Sequence, residues 1–196
     1  MLFFFGMILY GIILNLKEKT LQEAMEEKKI TLFVRPSIVV DKKNYNLELY
    51  EDTTLVKTYK AVFGKSNRIN KGSFTDSVTP CGEYVICRID SVSRYHRFLL
   101  INYPNQIDVV EAYKKLWITK DEYYQIISNI NLGKYPFENL EKYTRIGIHG
   151  IGTYDLIFRN LPFTFNWTNG SIAVSNTNID ELFRIVKIGT PVKIKE

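Results

Sequence analysis

A histidine and a hydroxyl nucleophile stand out in the C-terminal third of the chain. Ile148-His149-Gly150 sits in a strand-like run. Eighteen residues after Gly150 begins Thr168-Asn169-Gly170-Ser171-Ile172-Ala173-Val174-Ser175-Asn176. A base carried on a strand, followed by a nucleophile beside a glycine in a tight turn, suits nucleophilic catalysis. There a weak nucleophile becomes reactive because a neighbouring base can take its proton. Taken alone, a histidine in an apolar strand is more often a core histidine with its hydrogen bonds satisfied. Gly150 beside it and the Gly-Ser turn downstream favour the chemical reading. No Gly-rich phosphate loop, metal-ligand cluster or heptad run competes with it, so neither a metal nor a cofactor is expected.

These two segments need a scaffold, and the pattern before them supplies strands. Ser37 to Val40 and Asn46 to Tyr50 read as a hairpin around Asp41-Lys42-Lys43-Asn44, and Leu55 to Phe63 continues the sheet up to Gly64. Residues 67–77 are polar and Gly-containing, hence a loop. Glu83 to Asp90 and Tyr95 to Asn102 give two further strands, Ile146 to His149 another, and Val192 to Ile194 the last. Thr20-Leu21-Gln22-Glu23 and Thr119-Lys120-Asp121-Glu122 are capping boxes that open helices, the second ending at Gly133. Asn178 to Val186 reads as a third helix.

In this order the motifs resemble the L,D-transpeptidase (YkuD-type) catalytic domain, which crosslinks bacterial peptidoglycan. The likeness runs from about Ser37 to Ile194. It includes Thr79-Pro80-Cys81-Gly82-Glu83-Tyr84, Tyr103-Pro104-Asn105 and Gly189-Thr190-Pro191-Val192 beside the His149 and Ser171 segments. It implies a mainly β fold with helices, a mixed β-sandwich or barrel-like sheet with packed helices. Residues 105–145 match poorly and read as a helical insertion over the site.

The implied reaction is acyl transfer or hydrolysis at the bond between diaminopimelate and the terminal D-Ala of a stem tetrapeptide. His149 would be the base and Ser171 the nucleophile. Backbone N–H groups around Gly170 and Ser171 would hold the oxyanion, and Gly150 would let backbone approach the substrate. Thr168 matches the family's small hydroxyl residue, and Trp167 would wall the cleft. Asn169 and Ala173 stand where many members carry His and Arg. Both departures occur together in the branch whose motif reads W-T-x-G-C-I-A. Ser171 replaces the family's nucleophilic cysteine. A thiol is partly ionised near neutral pH, whereas a hydroxyl depends wholly on its base, so impaired activity is expected. The alternative is a catalytically inactive protein that binds wall peptides. Arg145 and Arg159 could bind a stem-peptide carboxylate or form a solvated face; His96 reads as structural or at the cleft rim.

Composition bounds the rest. At 196 residues the chain fits one domain plus an attachment. Its net charge of +5 is spread among acids and forms no basic stripe, which argues against nucleic acid. Met1 to Leu16 carries no charged side chain and is followed at once by Lys17, Glu18 and Lys19. It reads as an uncleaved signal anchor, with 17–36 as a helical spacer and 37–196 as the catalytic domain, exported and held at the inner membrane. Cys81 and Cys87 flank a strand that would hold them beyond disulfide reach.

Overall fold

The computed structural model describes residues 2–15, 18–66, 71–161 and 163–196. Its helices are α1 (Leu2–Asn15), α2 (Leu21–Glu27), α3 (Gln106–Lys114), α4 (Lys120–Asn131), α5 (Asp155–Phe158) and α6 (Asn176–Ile185). Its strands are β1 (Pro36–Asp41), β2 (Asn46–Glu51), β3 (Thr54–Lys60), β4 (Gly82–Ser93), β5 (His96–Ile101), β6 (Gly147–His149), β7 (Ile172–Ala173) and β8 (Pro191–Lys195). They form one mixed sheet in the order β3-β2-β1-β8-β4-β5-β6-β7. Among these strands only β1–β8 and β6–β7 pair in parallel.

The sheet is not a closed barrel, yet its two edges meet. Beyond β3 the chain crosses to the far edge, where Val62 bridges Ala173 and Gly64 bridges Thr168. This seam brings the Thr168–Ser171 turn, which precedes β7, against residues 62–65. One face of the curved sheet makes the core: Ile38, Val40, Leu47, Leu49, Ile86 and Ile148 are at most 1% exposed. Each such side chain contributes roughly 1.5–3 kcal/mol by leaving water. Helix α6 covers this core with Ile179 and Leu182, and starts at Ser175, whose hydroxyl accepts the Asn178 N–H.

Residues 105–145 contain α3 and α4, each opened by a capping box: Asn105 with Asp108, and Thr119 with Glu122. The first box was not recognised in the sequence. The segments flanking these helices meet the loop before β4 through rings around Phe74, with Phe137 at 5.2 Å, Tyr143 at 5.7 Å and Tyr103 at 5.8 Å between centroids. The buried Lys71 ammonium holds the same loop, donating to Asp76 and to Val78 O. Residues 67–70, the first part of that expected loop, lie outside the described residues.

At the N-terminus, Glu18 and α2 are tied to the domain: Leu21 N–H donates to Glu181, and Asn178 donates to Glu18. Glu181 also pairs with the buried Lys57 at 2.7 Å. Met1, Leu16 and Lys17, which bound the uncharged run, lie outside the described residues. No helix among the described residues is long and apolar enough to cross a membrane. The 14 residues of α1 span about 21 Å, short of a hydrocarbon core of about 30 Å. Both cysteines are free, as expected from the strand between them.

Candidate active site

Strand β6 runs between β5 and β7, with Phe98 opposite His149 and Leu99 opposite Ile148 on one side. On the other side Ile148 faces Ile172 and His149 faces Ala173. Alternation along a strand then sends Ile148 into the core and His149 to the opposite face. The imidazole is still only 2% exposed, because rings enclose it. Tyr95 stacks on it at 4.6 Å, Phe98 at 5.7 Å, and Trp167 meets it edge-on at 5.8 Å. Phe98 could be foreseen as a cross-strand partner; Tyr95, contributed by a turn, could not.

His149 Nδ1 lies 2.6 Å from Gly150 O. A carbonyl can only accept, so Nδ1 carries the proton and Nε2 keeps the lone pair. Burial lowers the pKa of His149 to about 4, with the Gly150 bond opposing only in part. The ring is therefore a neutral potential base at pH 7. The same burial makes stability depend on pH. The unfolded chain protonates this residue below about pH 6.5, whereas the folded protein resists until about pH 4. The contribution is fully present above pH 6.5 and is lost as pH falls from there to 4, by about 3 kcal/mol. Urea titrations across that window should show the loss in the native protein, and a shallower decline in His149→Gln.

The turn before β7 is stitched to the seam. Trp167 and Thr168 N–H groups both donate to Phe63 O, and Lys65 N–H donates to Thr168 O. The Thr168 hydroxyl accepts from Gly170 N–H at 3.2 Å and donates to Ser171 O at 2.6 Å, bracing the turn. One of the N–H groups expected to hold an oxyanion is thus engaged by Thr168. Gly170 has φ +108, and a Cβ there would come within 2.8 Å of Ile146 and 3.0 Å of Val78 O. That geometry requires glycine.

Ser171 is 6% exposed. Its hydroxyl accepts from Gly147 N–H at 3.2 Å and donates to Arg145 O at 3.4 Å. Among the described residues these are its hydrogen bonds, and none joins it to His149. The structure therefore places His149 on β6 and Ser171 in the turn just before the neighbouring β7, each tied to backbone rather than to the other. Gly147 lets β6 close on β5, since a Cβ there would strike the Phe98 ring at 2.6 Å and Leu99 O at 2.4 Å.

The remaining candidates divide. Asn169 is exposed at the tip of the turn, and Trp167 is half-buried. Arg145 is exposed, with its guanidinium 6.0 Å from the Tyr135 ring centre. Gly150 is buried, and its absent side chain leaves room for Asn176 and Tyr95 O. Arg159 pairs with Asp155 at 3.6 Å. His96 starts β5 and is bonded at 3.0 Å to Asp180 of α6. A cavity of about 210 Å³ opens along the seam between Val62, Ala173, Ile151, Phe158 and Lys57; neither His149 nor Ser171 lines it.

Comparison with known proteins gives one family. The YkuD family, the L,D-transpeptidase catalytic domain, matches residues 35–194. No curated protein sequence matches the chain. Among solved structures it is similar to an L,D-transpeptidase from Xylanimonas cellulosilytica, with 15% identity over 90% of this chain and 70% of that one, TM-score 0.46. For a protein of Bdellovibrio bacteriovorus the values are 21%, 83% and 48%, TM-score 0.49. For L,D-transpeptidase 1 of Mycobacterium tuberculosis they are 11%, 82% and 61%, TM-score 0.43. The chain thus spans about half to seven-tenths of the length of these chains.

Proposed function

The chain belongs to the L,D-transpeptidase (YkuD) catalytic domain family, whose pattern takes up residues 35–194, and from that membership we propose that it acts on peptidoglycan stem peptides. The reaction is acyl transfer or hydrolysis at the diaminopimelate–D-Ala bond. Ser171 Oγ attacks the carbonyl, its proton passes to His149 Nε2, and the ester carries the acyl group while D-Ala leaves with that proton. An amine of a second stem, or water, then releases the acyl group and restores the hydroxyl. The observation that carries this reading is the Nδ1–H bond to Gly150 O, which leaves Nε2 with its lone pair on the strand beside the Gly170-Ser171 turn. Ser171 must turn away from Arg145 O to use it, and a neutral base of low pKa makes the attack slow.

In this reading Thr168 braces the turn, Gly170 and Gly150 let backbone close on the substrate, and Trp167 and Asn169 flank the peptide. Arg145 is a partner for a stem carboxylate. The protein works on the exported side of the membrane, at the wall. Residues 1–16 serve as an attachment to the inner membrane and 17–36 as a spacer; the uncharged run from Met1 to Leu16 supports this. The described helix is too short to cross, so the proposal concerns attachment.

One observation favours a second reading. The Ser171 hydroxyl is spent on Gly147 and Arg145, as in a protein that keeps the peptide groove and has given up turnover. Incubation with a disaccharide-tetrapeptide, followed by mass spectrometry, separates the two. The enzyme reading expects D-Ala release that is lost in His149→Gln; intact peptide after prolonged incubation supports the binding protein.

A further inference from the structure

The short turn after His149 is held by a single side chain from another element. Asn176 is the first residue of α6, and its amide pairs with the backbone of Gly152 in both directions. Oδ1 accepts from Gly152 N–H at 2.9 Å, and Nδ2 donates to Gly152 O at 3.0 Å. Those two partners fix which way the amide faces, since a donor must meet the oxygen and an acceptor the nitrogen. The Asn176 N–H is itself anchored by Asp155 at 2.8 Å. The same amide oxygen lies where a Cβ on Gly150 would be, 2.6 Å away, so it rests directly on the Gly150 backbone. Gly152 has φ +82, a left-handed conformation that lets its N–H and C=O both face the amide.

Gly150 is the residue whose carbonyl receives the His149 Nδ1 proton. We propose that Asn176 is a positioning residue for His149: by clamping Gly152 and packing on Gly150 it aims the Gly150 carbonyl at Nδ1. It thereby selects the tautomer that leaves Nε2 free. Asn176 touches neither the reacting atoms nor the imidazole, and acts through one peptide group. The consequence for turnover rests on the function proposed above; the consequence for the tautomer does not.

Only two histidines occur in the chain, so nitrogen-15 imidazole NMR can follow each one. His96, half-exposed and paired with Asp180, serves as the internal reference. In the native protein at pH 7 the His149 ring should give one signal set with Nδ1 protonated. Asn176→Ala should convert it to a mixture containing the Nε2–H form, with His96 unmoved. Thr177→Ala, on the next residue of the same helix, should leave both unmoved. Should Asn176→Ala not fold, Asn176→Asp keeps the size and the acceptor, and sets a carboxylate oxygen against Gly152 O in place of the donor; it should show the same mixture. In a Ser171→Cys background, either variant should lower D-Ala release on the order of 10²-fold, the scale for a misplaced catalytic group. A folded Asn176 variant that retains pure Nδ1–H would overturn the proposal whatever its turnover. A shifted tautomer supports the proposal even if no form releases D-Ala, in which case the enzyme reading alone falls.

Discussion

Ser171→Cys is expected to release D-Ala from a disaccharide-tetrapeptide about 10²–10⁴ times faster than the native protein. His149 is enclosed by Tyr95, Phe98 and Trp167, and its pKa is lowered to about 4. So weak a base is a poor acceptor for a hydroxyl proton, which must leave during attack. A thiol, with an ordinary pKa of about 8.5, reaches its reactive anion without a strong base. The sulfur would also be a weaker partner for Arg145 O and Gly147 N–H than the hydroxyl is. It would be freer to turn toward substrate. Initial rates measured by mass spectrometry at pH 7 and 9 check this, and the advantage of the thiol should persist at both. Equal rates for the two side chains would mean that the nucleophile does not limit the site.

The largest structural effect is expected at Gly64. Its backbone conformation is one that any residue can adopt, so the cost of a side chain there is contact alone. A Cβ would lie 1.8 Å from Ser77 O and 3.1 Å from Gly170 Cα, both backbone atoms that cannot turn away. Gly64 N–H also donates to the Thr79 hydroxyl at 2.9 Å, which fixes the strand from its other side. Gly64→Ala must then push residues 62–65 off the Ser77 backbone and crowd the turn that carries Ser171. A loss of about 3 kcal/mol or more in denaturant unfolding is expected. Any turnover in the Ser171→Cys background should fall by about 10²-fold with it. Gly133→Ala is the control: it has φ +68 but nothing within 4 Å. Its cost should stay at roughly 1–2 kcal/mol, from the left-handed backbone alone.

Much of this scaffold was legible because it is local. Alternation over Asn46 to Tyr50 and Tyr95 to Asn102, the turn around Asp41-Lys42-Lys43-Asn44, and the capping boxes at Thr20 and Thr119 each act within a few residues, and β2, β5, the β1–β2 turn, α2 and α4 are present there. The order of the family motifs gave the sheet class as well. The seam was not legible. Nothing near Val62 or Gly64 signals that they bridge Ala173 and Thr168 more than a hundred residues later. Nor does local sequence tell that Tyr95 will stack on His149, since it comes from the tight turn between β4 and β5. Asn176 was visible as part of a motif, but its bond to Gly152 depends on how α6 leaves β7. The orientation of Ser171 was beyond reach for the same reason: Arg145 and Gly147 present their backbone groups only once the sheet has formed.

The most direct test of the account is a time course of D-Ala release from a disaccharide-tetrapeptide by the native protein and by Ser171→Ala, followed by mass spectrometry. Turnover at Ser171 gives slow release that is proportional to native protein and absent from Ser171→Ala. No release by the native protein, with ready release by Ser171→Cys, would contradict it and leave a peptide-binding protein on an intact catalytic scaffold.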